Sequence, residues 1–266
     1  MKPHFSIIIV NFNTKDLLDE CLSSLSKDES VEKEIIVIDN DSKDSSVEMV
    51  KKKYKDVKLI ENQENLGFAK ANNQGLNKAT GDFILLLNSD TQLKSDVLSK
   101  MVEFAKNHQE AGVVGARLLN ADGSIQPSLY HFPSIVGAMW QYWMGKEKVY
   151  EKYAAEGNSP VSVDAVVGAA MLIPKRTLNN VGLLDERYFM YFEDLDYCRR
   201  VKKAGFKVYY LPEAEIFHYH GASGKGSGKT YRYLVESSKI YNGLAKFWIL
   251  NFVLWTGQKW QKLLGR

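Results

Sequence analysis

The chain has little cysteine and little proline, two and six among 266 residues. Cys21 and Cys198 both fall in helix-like stretches. That scarcity argues against a disulfide-stapled secreted scaffold and a cysteine-rich zinc module, and both thiols are expected to be reduced core residues of a cytoplasmic protein. No apolar run reaches the ~20 residues that a membrane-spanning helix needs. Met1-Lys2-Pro3-His4 leads straight into FSIIIVN, too short an apolar run for a signal core with its cleavage site. Low-complexity linkers and internal repeats are missing as well. So is a strong charge of either sign: the formal net charge is +3, which gives no reason to expect nucleic acid as a partner. No G-x-G-x-x-G follows the first strand-like run, which disfavours a dinucleotide-binding Rossmann domain. What is present is 45% hydrophobic and 12% aromatic residues, ample for a core in one large domain or two unequal ones.

The first half alternates. Phe5–Val10 is an apolar run broken only by Ser6, as in a strand buried on both faces. Leu17, Leu18, Cys21, Leu22 and Leu25 form a helical stripe, and EIIVI at 34–38 is a second strand ending in Asp39-Asn40. Ser45 and Glu48 fit a capping box opening a helix to Lys53. A third strand at 57–60, a helix at 67–78, a fourth strand at 83–87 and a helix at 95–107 complete the series. This order predicts an α/β fold with a mostly parallel central sheet and helices on both faces. The rhythm breaks after Val113. A hairpin is expected through Ala121-Asp122-Gly123, then an irregular aromatic stretch at 130–160 and two short strands flanking Gly168. A helix at 193–203, separate strands at 207–211 and 215–218, and a helical tail complete the expected pattern.

Polar residues collect where the strands end. In open α/β sheets ligands bind beyond the carboxyl ends of strands. GDFILLLNSD delivers Asn88-Ser89-Asp90 to such an edge, and an Asp there can hold a divalent cation against a diphosphate. The first strand ends in Asn11-Phe12-Asn13. A carboxylate such as Asp39 after the second can meet a ribose hydroxyl or a base N–H. Asn65-Leu66-Gly67 opens a helix whose glycine lets backbone N–H groups approach a diphosphate. Taken singly, each is equally a turn former or a helix cap. A second dense stretch is DERYFMYFEDLDYCRR, 185–200, where Glu193, Asp194 and Asp196 follow an aromatic run. Desolvation beside other acids raises a carboxyl pKa, as suits a general base. Asp196 reads better as an acid complementing the helix dipole.

These stretches, with NLGFAKANNQG, IDNDSKDSS and VVGAAMLIP in the same order, resemble the family 2 glycosyltransferases, and more closely their bacterial rhamnosyltransferase-like branch. The resemblance covers roughly residues 5–245 and lies in the combination of motifs rather than in any one of them. It implies a GT-A type, Rossmann-like nucleotide-sugar-binding fold, a divalent cation (Mg²⁺ or Mn²⁺) and inversion at the anomeric carbon. Its donor is a nucleotide-diphosphate sugar, with rhamnose favoured. The acceptor is a glycan or lipid-linked glycan of cell-surface polysaccharide. By resemblance Asp90 binds the metal and His218 is a second ligand, with His220 competing for that role. Asn88 stands where the family's first Asp is common, a poorer metal ligand suited to a sugar or ribose contact. Asn11, Asp39, Asn65, Gly67 and Ser89 line the donor cleft. Asp194 is the catalytic base, and Glu193 and Gly168 support the acceptor side.

Other classes remain open to the sequence. SGKGSGKT at 223–230 approaches a P-loop, but Ser223 stands at its first glycine and no buried strand with an Asp partner follows. A P-loop kinase or NTPase is therefore the alternative enzyme, and a non-catalytic sugar-nucleotide-binding protein the third reading. The loop would instead close over a diphosphate with Lys225 or Lys229. Residues 1–230 are expected to be the catalytic domain, with a nucleotide-sugar half to about 112 and an acceptor half from 113. Residues 231–266 form a basic amphipathic helical tail with six basic residues against Glu236, a formal +5. That tail would dock on the inner face of the plasma membrane, pack on the domain or form a homodimer contact.

Overall fold

Three neighbouring parallel strands end at one level, and this fixes where the chemistry can sit. The computed structural model describes residues 4–219 and 228–263. In chain order the elements are β1 (His4–Asn11), α1 (Lys15–Lys27), β2 (Glu32–Asp39), α2 (Ser46–Lys53), β3 (Lys58–Glu61), α3 (Phe68–Leu76) and β4 (Phe83–Asn88). There follow β5 (Thr91–Leu93), α4 (Val97–Asn107), β6 (Ala111–Leu119), β7 (Leu129–Tyr130), α5 (Ile135–Tyr142), β8 (Val161–Val163), β9 (Ala165–Val166) and β10 (Ala170–Pro174). The last are α6 (Lys175–Val181), α7 (Glu193–Lys203), β11 (Lys207–His218), α8 (Gly228–Asn242) and α9 (Leu244–Leu263).

The main sheet runs β3-β2-β1-β4-β10-β6-β11-β5, with β8 also on β11. The strands β3, β2, β1, β4, β6 and β11 share one direction; β10, β5 and β8 oppose it. The register pairs Asn11 with Asp39 and Val10 with Asn88, so the polar ends of β1, β2 and β4 arrive side by side. Alternation along β1 sends Phe5, Ile7 and Ile9 to one core, shared with Leu18, Leu22 and Leu25 of α1 and with Met101 of α4. Ile8 goes to the other core, with Ala69, Ala71 and Leu76 of α3 and Leu195 and Cys198 of α7. Helices thus cover both faces, as the alternating pattern requires. Both cysteines are free and buried, and burial pushes their thiols up to about 12.

Four local expectations need correction. Ser45 makes no side-chain cap on α2. Asp44 does the work instead: Oδ1 accepts from Ser46 N (3.1 Å) and Oδ2 from Lys15 N (2.8 Å), so one carboxylate ties the starts of α1 and α2. The 121–123 turn closes only a single antiparallel bridge, Leu119 to Ile125, because the next donor of that ladder, Ser128 N, turns away to the Tyr153 carbonyl at 3.2 Å. The expected strands at 207–211 and 215–218 are one strand, β11, whose register with β6 shifts between Leu211 and Glu215, where Pro212 lacks the N–H. The aromatic stretch holds a helix, α5, capped by Ser134 Oγ, which accepts from Gly137 N at 2.9 Å.

Candidate active site

The strand ends form one buried polar network. Asn11 Nδ2 donates to Asp39 Oδ2 (2.7 Å) and to Ser42 Oγ (3.0 Å). Thr14 Oγ1 donates to Asn11 Oδ1 (2.7 Å), which leaves Ser89 Oγ to donate to Thr14 (2.8 Å). Asp39 Oδ1 accepts from Ser42 N (2.8 Å). Asn11, Asp39 and Ser89 are therefore locked together, with Thr14 and Ser42, neither expected as a site residue, as joints. Beside them Asn40 Nδ2 reaches Asn65 Oδ1 (3.3 Å) and the Gly67 carbonyl (3.2 Å), while Asn65 Oδ1 accepts from Gly67 N (2.9 Å).

Gly67 has a specific reason to be glycine. Its φ is +82°, and a Cβ there would lie 2.4 Å from the Phe189 carbonyl oxygen. The next residue, Phe68, donates its N–H to that same oxygen at 2.7 Å. The start of α3 is thus pinned to the aromatic run preceding α7. The ring of Phe68 continues the link, since a Cβ on Gly168 would touch both Phe68 and Asp194 at 3.5 Å.

At the end of β4, Asp90 Oδ1 lies 3.3 Å from His218 Nε2, and Asn88 Nδ2 is also 3.3 Å from that nitrogen. His218 Nδ1 is 2.7 Å from Gln126 Oε1. The Gln126 amide is oriented by its own donors, since Nε2 reaches Asn120 Oδ1 (3.0 Å) and the His218 carbonyl (3.3 Å). An amide oxygen only accepts, so Nδ1 carries hydrogen and, in the neutral ring, Nε2 presents its lone pair to the carboxylate. The Asn88 amide N–H also faces that nitrogen, and a divalent cation between Nε2 and the Asp90 carboxylate would be held by both. Around a six-coordinate ion with bonds of about 2.1 Å, neighbouring ligands stand about 3 Å apart, close to the observed separation. This donor set, one carboxylate and one oriented imidazole, fits a divalent ion completed by phosphate oxygens. Among the described residues no three His, Cys, Asp or Glu side chains gather into a larger site. His220 and most of the 223–230 loop lie outside the described residues.

Glu193 and Asp194 open α7, both buried. They are aimed by two consecutive residues in the left-handed region, Tyr191 (φ 72°) and Phe192 (φ 69°), a strained entry of the kind found at functional sites. Burial raises both acids, and the Asp194 charge raises Glu193 further. Asp194 is countered by Gly168 N–H (3.1 Å), Leu195 N–H (2.8 Å) and the nearby Lys152 ammonium. Glu193 Oε2 has no hydrogen-bond partner among the described residues. Of the two, Glu193 is raised the further, because burial and the Asp194 charge act on it with little to oppose them, whereas two N–H donors and Lys152 counter the rise at Asp194. Lys152 stands over the Tyr130 ring at 5.3 Å, its ammonium pKa lowered by burial. Tyr130 follows Leu129 and Lys152 precedes Tyr153, and Leu129 and Tyr153 exchange backbone hydrogen bonds. Asp196 serves structure: it pairs with Arg199 and Arg200, both at 2.8 Å. A groove of about 580 Å³ between α1 and β5, lined by Asp19, Ser24, Tyr54 and Lys94 among others, shares none of these residues.

A mixed sheet with acids and amides at its strand ends is the architecture of the GT-A glycosyltransferases. The solved structure of GalNAc-T7 with UDP, GalNAc and Mn²⁺ superposes with a TM-score of 0.66 over 90% of this chain and 48% of that one, at 17% identity. The mannosyltransferase PcManGT from Pyrobaculum calidifontis, in complex with GDP-Man and Mn²⁺, gives 0.64 over 97% and 73%, at 16% identity. At such identities the likeness is one of fold. Glycosyl transferase family 2 matches residues 6–170, more than half of the chain, and the chain belongs to that family. It is 27% identical over 257 residues to the N-acetylglucosaminyl-diphospho-decaprenol L-rhamnosyltransferase of Mycobacterium tuberculosis, covering 90% of this chain and 83% of that protein. To Rhamnosyltransferase WbbL of Escherichia coli K12 it is 28% identical over 252 residues, covering 88% and 91%. The family match decides against the P-loop alternative. It ends before α7 and β11, so the roles of Asp194 and His218 rest on their geometry.

Proposed function

We propose that the protein transfers a sugar, with rhamnose favoured, from a nucleotide-diphosphate donor to a hydroxyl of a glycan or lipid-linked glycan in cell-surface polysaccharide synthesis, with inversion at the anomeric carbon. The observation that carries this reading is Asp194: a buried carboxylate that accepts from the Gly168 and Leu195 N–H groups and stands beside a second buried acid, Glu193. Asp194 removes the proton from the acceptor hydroxyl. The freed oxygen forms its bond to the anomeric carbon as the bond from that carbon to the diphosphate oxygen breaks, and the nucleoside diphosphate leaves on the opposite side. One base suffices, and a single displacement inverts the centre. Asp90 and His218 would hold Mg²⁺ or Mn²⁺, which supplies charge neutralisation to the departing diphosphate. Asn11, Asp39, Asn65, Gly67, Asn88 and Ser89 form the donor wall; Glu193, Gly168, Tyr130 and Lys152 lie on the acceptor side.

The names of the two bacterial rhamnosyltransferases favour rhamnose, and that of the mycobacterial protein favours a lipid-linked acceptor. Such an acceptor places the reaction at the cytoplasmic face of the plasma membrane. Residues 1–230 act as the catalytic domain, and the tail from 231 serves its location. Calorimetry of nucleotide sugars with Mn²⁺ tests the donor site. Asp90→Ala is expected to lose metal-dependent donor binding, and unchanged metal dependence in that variant would remove Asp90 from the role.

A further inference from the structure

Helix α9 is apolar on two opposite sides. Phe247, Leu250, Leu254 and Gly257 form a stripe that is buried or half-buried against the domain. Trp248, Phe252, Trp255 and Leu263 lie about half a turn away at helical spacing and are 64, 64, 55 and 81% exposed. A helix that is apolar all round is normally covered on every side or lies in lipid. Here the described residues cover one side.

A second exposed stripe continues the first. Val136, Met139 and Trp140 of α5, with Trp143 and Met144 just after it, recur at i, i+3, i+4, i+7 and i+8, and all are exposed. Trp143 joins the two stripes: its Nε1 donates to the Val253 carbonyl (3.3 Å), and its ring stacks on Trp260 at 6.2 Å. Gly257 permits this approach, since a Cβ there would meet Tyr142 Cβ at 2.6 Å. The aromatic rims carry lysines, with Lys146 4.3 Å from the Trp140 ring centre and Lys259 3.9 Å from that of Trp255. Within Leu244–Leu263 there are three lysines, Lys246, Lys259 and Lys262, and no acidic residue.

We propose that α5 and α9 together form one docking surface for an anionic lipid bilayer, with the tail held on the domain rather than free of it. A second copy is the poorer occupant. A two-fold interface sets a patch against itself, and α9 has no carboxylate to answer its own lysines. Lipid answers both features: the apolar stripes enter the acyl boundary, tryptophan suits the interface, and lysines meet anionic headgroups. Helix α5 is tied to the segment that carries Lys152, since Gln141 Oε1 accepts from the N–H groups of Val149, Tyr150 and Glu151 at 3.0, 2.7 and 3.3 Å. The purpose of the surface rests on the lipid-linked acceptor reading; its existence rests on the exposed residues alone.

Flotation of the full-length protein with vesicles of phosphatidylcholine, with and without about one-third phosphatidylglycerol, tests the proposal. The protein is expected to float with the anionic vesicles, and less so in about 0.5 M salt, where screening shortens to roughly 4 Å. The pair Phe252→Glu with Trp255→Glu, and separately Trp140→Glu with Met144→Glu, should each reduce partitioning at least tenfold. Both pairs should keep wild-type turnover of a short-chain, water-soluble acceptor, which shows that they fold. A protein that stays soluble with both vesicle types overturns the proposal, and so does an α5 pair that floats like the parent. A dimer in sedimentation that the same substitutions dissolve would assign the surface to a second copy instead. Flotation combined with transfer only to lipid-free glycans would remove the lipid-linked acceptor and leave the surface standing.

Discussion

Replacing Gly67 by alanine tests the link between the donor edge and the loop before the base. Gly67 has φ 82° and ψ 178°, a region essentially reserved for glycine, which costs another residue about 1–3 kcal/mol. Gly182 is a matched control, with φ 83° and ψ −164° and nothing within 4 Å of a built Cβ. The backbone term is therefore common to both variants. Only Gly67→Ala also places a methyl 2.4 Å from the Phe189 oxygen. To restore ordinary contact that carbonyl must retreat by about 1 Å, an overpacking worth about 1–3 kcal/mol. Its hydrogen bond from Phe68 N–H weakens as well, for about 1 kcal/mol more. In a chain of this size each kcal/mol lowers Tm by about 2–4 °C. Thermal unfolding should then show Gly67→Ala below Gly182→Ala by roughly 4–16 °C. Phe189 is four residues before Glu193, and a displacement of about 1 Å can cost about 10²-fold in rate. Gly67→Ala should lose turnover, whereas Gly182→Ala should keep it. Equal Tm and equal turnover in the two variants would refute the idea that Phe189 is what requires glycine at 67.

Two further outcomes follow from the same geometry. Gln126→Leu removes the acceptor that orients His218, and calorimetry should find Mn²⁺ bound about 10–100-fold more weakly with the fold intact; unchanged affinity would leave Gln126 without that role. Glu193→Gln tests the buried acid pair by linkage. The folded-state pKa of Glu193 is raised above its ordinary 4.5, so the native state keeps its proton while the unfolded chain loses it, and wild-type stability falls as pH rises through that window. The Tm of Glu193→Gln relative to wild type should therefore climb as pH rises above about 4.5; a flat or falling difference would contradict a raised pKa.

The fold was largely readable where burial alone decides. Ile7–Val10 and Phe83–Leu87 are apolar throughout because both sheet faces are covered, and Asn11, Asp39 and Asn88 mark the polar strand ends. Long-range partners were not readable. Gln126 lies in coil, and its value comes from β11 arriving 92 residues later. Lys152 lies in a stretch without periodicity, and Gly67 owes its identity to Phe189, a neighbour only in space. Helix α5 was hidden because its apolar stripe faces outward, against the usual pattern of a core-facing helix.

The measurement closest to the central claim is steady-state transfer from a nucleotide-diphosphate rhamnose donor by Asp194→Asn, paired with calorimetry of the donor in the presence of Mn²⁺. A base acts on the acceptor proton in the transition state, so its loss falls on kcat and spares donor affinity. The account predicts a kcat lower by about 10²-fold or more, with donor Kd unchanged. A variant within about tenfold of the parent in kcat would contradict Asp194 as the base.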